Sequence, residues 1–337
     1  MPKRILIIQT AFLGDAILCT SFVKATKELY PDSKIDILII PQAVEIFENN
    51  PHINKIIIFP KRTLLMKLNS FFKLIKQMKT EQYDVVVSLK LSLTISFLMY
   101  LSGIPIRLGY PRQKLLTHTV TLPKKIPVYR RSLLLLKVIS DREFIPKTEI
   151  FWTKEIDEQV CKYIKDYQEP GYNVIAIAPA SIWQTKRWLP EYYSELISML
   201  YQNYIQAVLI GGPDDRNLCQ QIIQQANTPA LNLAGYLSLK GSAALISKLP
   251  LLVTNDSAPL HLANAVETDV IAIFGPTVRD FGFYPFRPRD IVLEVPLPCR
   301  PCGKHGGNKC PQKHFKCMKD IKPELVKDAV MRLIMQS

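Results

Sequence analysis

Several things are missing from this sequence, and each absence excludes a class. No hydrophobic run reaches the roughly 20 residues of a membrane-spanning helix. The nearest approach, residues 91–106, carries no charge but is broken by Ser92, Thr94, Ser96, Ser102, Gly103 and Pro105. It reads as a buried helix and its exit. No secretory signal is visible, because the apolar residues 5–8 give way at once to Gln9 and Thr10. Seven cysteines, an odd number, without such a signal point to the cytosol rather than to a disulfide framework. Neither G-x-x-x-x-G-K-S/T nor a G-x-G-x-x-G after the first strand is present, which disfavours P-loop NTPases and nicotinamide enzymes. A convincing carboxylate cluster for Mg²⁺ is also lacking.

Acidic residues are nearly absent from one long stretch. Residues 52–137 hold 16 Lys/Arg against only Glu81 and Asp84, a net of +14 that equals the formal charge of the whole chain. Charge segregated in this way attracts a polyanion: nucleic acid, an anionic membrane or a phosphorylated glycolipid. The bland alternative is a solubilising basic surface. Nucleic-acid binding would call for aromatics interleaved with the charges, or a recognised module, and neither is found. Within this window, residues 64–78 place apolar side chains at 64, 65, 68, 71, 72, 75 and 78, beside Lys61, Arg62, Lys67, Lys73, Lys76 and Lys79. The spacing is helical. The stripe either packs in the core or lies on a membrane surface.

What is present is a βα rhythm that occurs twice. Hydrophobic residues make up 48% of the 337, enough for two sizeable cores. Apolar strands at 3–9, 34–40, 55–59 and 83–89 alternate with helical segments. Residues 167–171 have linker composition. The rhythm then restarts, with strands at 173–178, 206–210, 230–233, 251–253 and 270–274. The expected fold class is α/β with two doubly wound, Rossmann-like domains facing a central cleft at the carboxyl ends of their strands. The expected domains are 1–168 and 172–320, followed by a C-terminal helix over 321–337 that can pack back on the first domain.

The stretch 251–265, LLVTNDSAPLHLANA, organises the second half. Leu251, Leu252 and Val253 suit a buried parallel strand. Thr254, Asn255, Asp256 and Ser257 form a turn with helix-start chemistry, and Pro259 sits just inside the helix. A strand feeding a helix N-terminus prepares an anion site, although Asp256 and Ser257 can equally be caps. Three other strand-end turns are polar. Gly14 and Asp15 follow the first strand, where Asp15 is either an N-cap or a general base. Residues 179–188, PASIWQTKRW, hold Ser181, Thr185, Lys186 and Arg187, which suit a diphosphate or simply an ordinary polar loop. In Gly211-Gly212-Pro213-Asp214-Asp215 an acid accepts ribose hydroxyls or caps the next helix. Three of the four turns lie in the second half. A nucleotide diphosphate held there suits group transfer to an acceptor held by the basic first half.

This combination resembles the ADP-heptose:lipopolysaccharide heptosyltransferases, family 9 of the inverting glycosyltransferases, which have the GT-B fold. The resemblance covers essentially the whole chain. Its carriers are Ile5-Leu6-Ile7-Ile8 leading to Gly14-Asp15, Thr185-Lys186-Arg187-Trp188-Leu189-Pro190, Gly211-Gly212-Pro213, and Asn255-Asp256-Ser257-Ala258-Pro259-Leu260-His261. The ending with Cys299, Cys302, Cys310 and Cys317 is similar to the second-heptose branch in particular. The resemblance implies that Asp15 is the base and that Lys186 acts on the donor phosphates. It implies a donor site of Ser181, Thr185, Lys186, Asp214 or Asp215, Asn255, Asp256, Ser257, Ala258 and His261. Gly14, Lys61, Arg62, Lys67, Arg107 and Arg112 match acceptor-facing positions. His261 either touches the donor phosphates or packs beside the helix start.

The implied reaction moves L-glycero-D-manno-heptose from ADP-heptose to Kdo₂-lipid A or its heptosylated form, with inversion. It needs no metal or other cofactor. The partners are then ADP-heptose and an anionic lipid-linked core oligosaccharide, with no specific nucleic acid. The expected location is the cytoplasmic face of the inner membrane, held peripherally. The rivals are a related transferase using another sugar nucleotide in surface polysaccharide synthesis, a basic nucleic-acid-binding protein, and a sugar-nucleotide epimerase, for which no second acid/base is seen. Cys299, Cys302, Cys310 and Cys317 fall within 19 residues, with His305 and His314 nearby. They form a reduced or partly disulfide-linked loop or, as the weaker alternative, a tetrahedral zinc site.

Overall fold

The computed structural model describes residues 1–59, 64–111, 113, 115–123 and 126–335, the side chains of 64–68 excepted. The chain divides into two units, Met1–Phe151 and Trp152–Ser337. The first contains β1 (Arg4–Gln9), α1 (Leu13–Leu29), β2 (Lys34–Ile39), α2 (Val44–Phe47), β3 (Lys55–Ile58) and α3 (Leu64–Thr80). It continues through β4 (Val85–Ser88), α4 (Leu93–Leu101), β5 (Ile106–Gly109), β6 (His118–Thr119) and α5 (Val128–Arg131). The second contains α6 (Lys154–Tyr167), β7 (Asn173–Ala178), α7 (Pro190–Tyr201), β8 (Ile205–Leu209), α8 (Arg216–Ala226), β9 (Ala230–Asn232) and α9 (Leu239–Ser247). It ends with β10 (Leu251–Asn255), α10 (Ala258–Ala265), β11 (Asp269–Phe274), β12 (Ile291–Glu294), α11 (Lys316–Lys319) and α12 (Pro323–Ile334).

Each unit is built on a six-stranded sheet, ordered β3-β2-β1-β4-β5-β6 in the first and β12-β11-β10-β7-β8-β9 in the second. The pairings are parallel throughout. Both sheets are doubly wound, as the expected fold class requires. The central strands explain why: Ile5–Ile8 of β1 and all of β10 are buried, and strands covered on both faces read as continuous apolar runs. The strand order reverses between β1 and β4 and again between β7 and β10. A doubly wound sheet opens its ligand crevice at such a switch, outside the carboxyl ends of the strands. The turns after β1, β7 and β10 stand at those points.

Two expectations are corrected. The units divide at 151/152, not at 168–172. Although 167–171 looks like a linker, α6 before it packs on α9, and Lys248 Nζ reaches Asp157 Oδ1 at 2.8 Å. The polar composition marks only the turn from α6 to β7, where Gly171 takes φ +83°. The C-terminal helix belongs to the second unit: Val326, Val330 and Leu333 of α12 are buried in its core with Ile197 and Ile271. Finally, α4 is only half buried. Ile95, Leu98 and Met99 face the core, while Leu93, Phe97 and Tyr100 are 72%, 49% and 49% exposed.

Candidate active site

In the second unit, the β10–α10 turn and the loop after β7 are bound into one structure. Asn255 is fully buried. Its Oδ1 accepts from Trp188 N at 3.0 Å, and its Nδ2 donates to Pro179 O at 2.8 Å. It therefore joins strand to loop through backbone groups at both ends of 179–188. That clamp sets Lys186 beside Asp256. Lys186 Nζ donates to Asp256 Oδ2 at 2.5 Å and lies 3.3 Å from Asp256 O. Thr277, after β11, donates through Oγ1 to the same carboxylate oxygen at 2.6 Å. Asp256 is buried, so its charge relies on this lysine and this hydroxyl.

Ser257 is the N-cap of α10, yet its side chain makes no capping bond. Its Oγ instead lies 3.4 Å from Thr254 Oγ1. The first turn of α10, opened by Ala258 and Pro259, thus presents backbone N–H groups and the positive helix end beside the Lys186 ammonium. The arrangement suits a diphosphate. His261, in the same helix, is buried. Burial pushes its imidazole down to about 4, against the charge of Asp256, so it is neutral at pH 7. Its Nδ1 is buried without a hydrogen-bond partner, and Phe283 lies 6.2 Å away, ring to ring.

The other expected donor residues separate by their partners. Thr185 is buried and bonded to Gly307, donating through Oγ1 at 2.8 Å. Ser181 is half-buried, and its carbonyl accepts from Arg187 Nε at 2.7 Å. Asp215 Oδ2 accepts from Gly212 N at 2.9 Å and closes its own turn, whereas Asp214 is exposed. A Cβ on Gly211 would come within 2.8 Å of Asp215 Cβ, so the turn requires glycine there.

In the first unit, Asp15 lies in the first turn of α1, and the N-cap position belongs to Phe12. Gly14 precedes it in the same turn. A carboxylate there is favoured by the helix dipole. Its charge raises the thiol of Cys19, one turn further on, beyond what burial alone does, and also contributes to the raised Tyr110 hydroxyl. Tyr110 itself is set by Gln113, whose Oε1 accepts from Tyr110 N at 3.1 Å while its Nε2 donates to Ser88 Oγ at 3.2 Å. Arg107 is engaged with its own loop: Nη1 donates to Ile104 O at 2.7 Å and Nε to Leu115 O at 3.1 Å. Lys61, Arg62 and Arg112 lie outside the described residues, as does the side chain of Lys67.

The C-terminal thiols gather around a cavity of about 60 Å³ lined by Cys302, Cys310, Cys317 and Thr185. Burial pushes the Cys317 thiol up to about 11, and the other three thiols act on it electrostatically. Cys299 Sγ is 3.8 Å from His314 Nε2. Among the described residues, no group of three or more His, Cys, Asp or Glu stands so as to hold a metal ion. Sequence reading missed Thr277, Gln113 and Arg300. No local pattern marks them, because their partners lie far along the chain.

Comparison with known proteins places this geometry. The family model of glycosyltransferase family 9 (heptosyltransferase) matches residues 71–313. Lipopolysaccharide heptosyltransferase 3 of Escherichia coli is 30% identical over 283 residues, covering 80% of this chain and 83% of that one. Among solved structures, a family 9 glycosyltransferase from Veillonella parvula aligns with TM-score 0.86 at 23% identity, over 99% of this chain and 98% of its own. The ADP-heptose heptosyltransferase II of E. coli aligns with TM-score 0.79 at 22% identity, over 99% of both chains. The chain is a glycosyltransferase and belongs to family 9, the heptosyltransferases.

Proposed function

We propose that the protein transfers L-glycero-D-manno-heptose from ADP-heptose to the inner core of lipopolysaccharide, with inversion. The observation that carries the donor half is the Lys186–Asp256–Thr277 cluster at the N-terminus of α10, on the topological switch of the second sheet. An ammonium has three donors. Two are engaged by Asp256, at its carboxylate and its carbonyl oxygen, which leaves one for a diphosphate at the helix end. As the heptose leaves, negative charge grows on the ADP diphosphate. Lys186 and the N–H groups at Ser257 and Ala258 stabilise that charge. Asp256, Ser257 and Ala258 border the transferred sugar. Asp214 is the acid we assign to the ribose, because Asp215 is engaged in its own turn.

Asp15 takes the proton of the acceptor hydroxyl, whose oxygen then attacks the anomeric carbon opposite the diphosphate. One carboxylate suffices, because ADP is already a good leaving group. The acceptor half rests on the first unit's charge and surface. Gly14, Lys61, Arg62, Lys67 and Arg112 are the positions we assign to the phosphates and acidic sugars of the core oligosaccharide; Arg107 supports the β5–β6 loop.

A lipid-linked acceptor also calls for a surface that meets a bilayer. Leu93, Phe97 and Tyr100 form an exposed stripe on α4, with Leu91 just before it and Phe72 exposed on the neighbouring α3. They lie inside the basic window, a combination that suits an anionic leaflet. No helix among the described residues is long and apolar enough to cross a membrane. We therefore place the protein on the cytoplasmic face of the inner membrane, peripherally held. The test is ADP release from ADP-heptose with Kdo₂-lipid A and its mono- and di-heptosylated forms run in parallel. Release with one acceptor fixes the step. Failure to bind ADP-heptose would replace the donor with another sugar nucleotide.

A further inference from the structure

The loop that carries Cys302 and Cys310 is not held by a core of its own. Gly303, Lys304, His305, Asn308 and Lys309 are all exposed. Its attachments are instead to the loops that form the donor cluster. Thr185 N and Thr185 Oγ1 both donate to Gly307 O, at 2.9 and 2.8 Å, and Gly307 N donates back to Thr185 Oγ1 at 2.8 Å. Gly306, at φ +80°, lies so close that a Cβ on it would stand 3.2 Å from Lys186 Cγ. The loop backbone is thus the wall against which the stem of Lys186 rests.

At the other end of the loop, Arg300 is the anchor. Its side chain is 5% exposed and its charge is met by Glu294 at 2.9 Å. Its guanidinium donates to Thr277 O at 2.7 Å and to Phe274 O at 3.3 Å, and also to the carbonyls of Gly275 and Val295. Cys302 N donates to Pro276 O at 3.0 Å. Thr277, so held, donates to Asp256, and Asp256 accepts from Lys186. The contacts close a ring: Arg300, Thr277, Asp256, Lys186, Thr185, Gly307 and back along the loop.

We propose that Thr185 and Arg300 are positioning residues that fix Lys186 and Thr277 through the 299–310 loop, so that the loop sets affinity for the nucleoside diphosphate. This assignment rests on the donor reading above and changes the role of Thr185 from ligand contact to support. The experiment uses the full chain and three variants, Thr185→Val, Thr185→Ser and Arg300→Lys. ADP binding is measured by calorimetry, steady-state KM for donor and acceptor by ADP release, and folding by thermal melts. Thr185→Val keeps the shape and removes both bonds of the hydroxyl. It raises the ADP Kd and donor KM about 5- to 10-fold, the equivalent of one net hydrogen bond, with the acceptor KM unchanged. Thr185→Ser restores both constants. Arg300→Lys keeps the charge but not the planar fork, and shifts the same constants in the same direction.

An unchanged ADP Kd in Thr185→Val, or donor and acceptor KM rising together, overturns the positioning role while leaving the donor reading intact. A lowered melting temperature with donor constants unchanged overturns it equally. Absence of ADP binding in the wild type overturns the donor reading and the positioning role with it.

Discussion

At the level of single residues, two charged groups do different work. Asp15 sits in the first turn of α1, and the cap position beside it is filled by Phe12. Its replacement by Asn should leave ADP-heptose binding nearly intact and lower kcat by about 10²- to 10⁴-fold, the usual worth of a general base. Calorimetry beside steady-state kinetics checks this; weakened donor binding with turnover retained would contradict the role. Lys186 should behave otherwise. Lys186→Met removes the cation facing the diphosphate and strands the buried Asp256 carboxylate. Both kcat and donor KM should suffer, with kcat/KM down about 10²- to 10³-fold. A purely structural lysine would lower the melting temperature alone.

Much of this site was legible in the sequence, because strand-end turns have local signatures. The glycine and acid after β1, the lysine in the loop after β7 and the Asp-Ser step before α10 each announce themselves within a few residues. What was not legible depends on distant contacts. Thr277 meets Asp256 across 21 positions, and Gly307 meets Thr185 across 122. Arg300 is a buried clamp on the end of β11, reaching Phe274 O across 26 positions. Asn255 was read as a donor contact, and its partners turn out to be backbone groups.

At the scale of elements, His261 in α10 and Asp290 in the loop before β12 are two titratable groups with opposite effects. His261 is pushed down to about 4 by burial, so its contribution is full above pH 6.5 and is lost as pH falls toward 4. Asp290, pushed up to about 6 chiefly by burial, is the reverse. Its contribution is full below its ordinary value near 3.8 and is lost as pH rises through 6. Asp290 accepts from Val270 N at 3.0 Å and Arg287 N at 2.8 Å, so it also ties β11 to the next loop. Between pH 4 and 6.5 the two nearly cancel. Relative to wild type, Asp290→Asn should therefore gain stability as pH rises through this window, and His261→Gln should lose it. Melting temperatures taken across the window check both signs; parallel curves for all three proteins would contradict the assignment.

Elements also explain one boundary and one exposed face that the sequence does not show. Residues 167–171 have linker composition, but composition reports a turn and not a domain border. The amphipathic face of α6 commits it to α9 in the second unit. In α4 the periodicity was hidden because the exposed stripe is as apolar as the buried one. Leu93, Phe97 and Tyr100 alternate with Ile95, Leu98 and Met99 in a sequence that is apolar on all sides.

For the whole molecule, the basic window 52–137, with its net +14, lies within the first unit, together with the exposed apolar stripe. The protein should sediment with vesicles containing anionic phosphatidylglycerol and not with pure phosphatidylcholine, and added salt should weaken the binding. The double variant Leu93→Asp, Phe97→Asp should lose most of it, roughly 10-fold or more, with an unchanged melting temperature. Equal binding to both vesicle types, or self-association that the double variant abolishes, would contradict the bilayer as the occupant of that face.

Heptosyl transfer by Asp15 is tested most directly by ADP release from ADP-heptose with the three lipid A acceptors, wild type beside Asp15→Asn. Release is expected with one acceptor, with near-total loss in the variant. Release that is independent of acceptor, or that survives in Asp15→Asn, would contradict it.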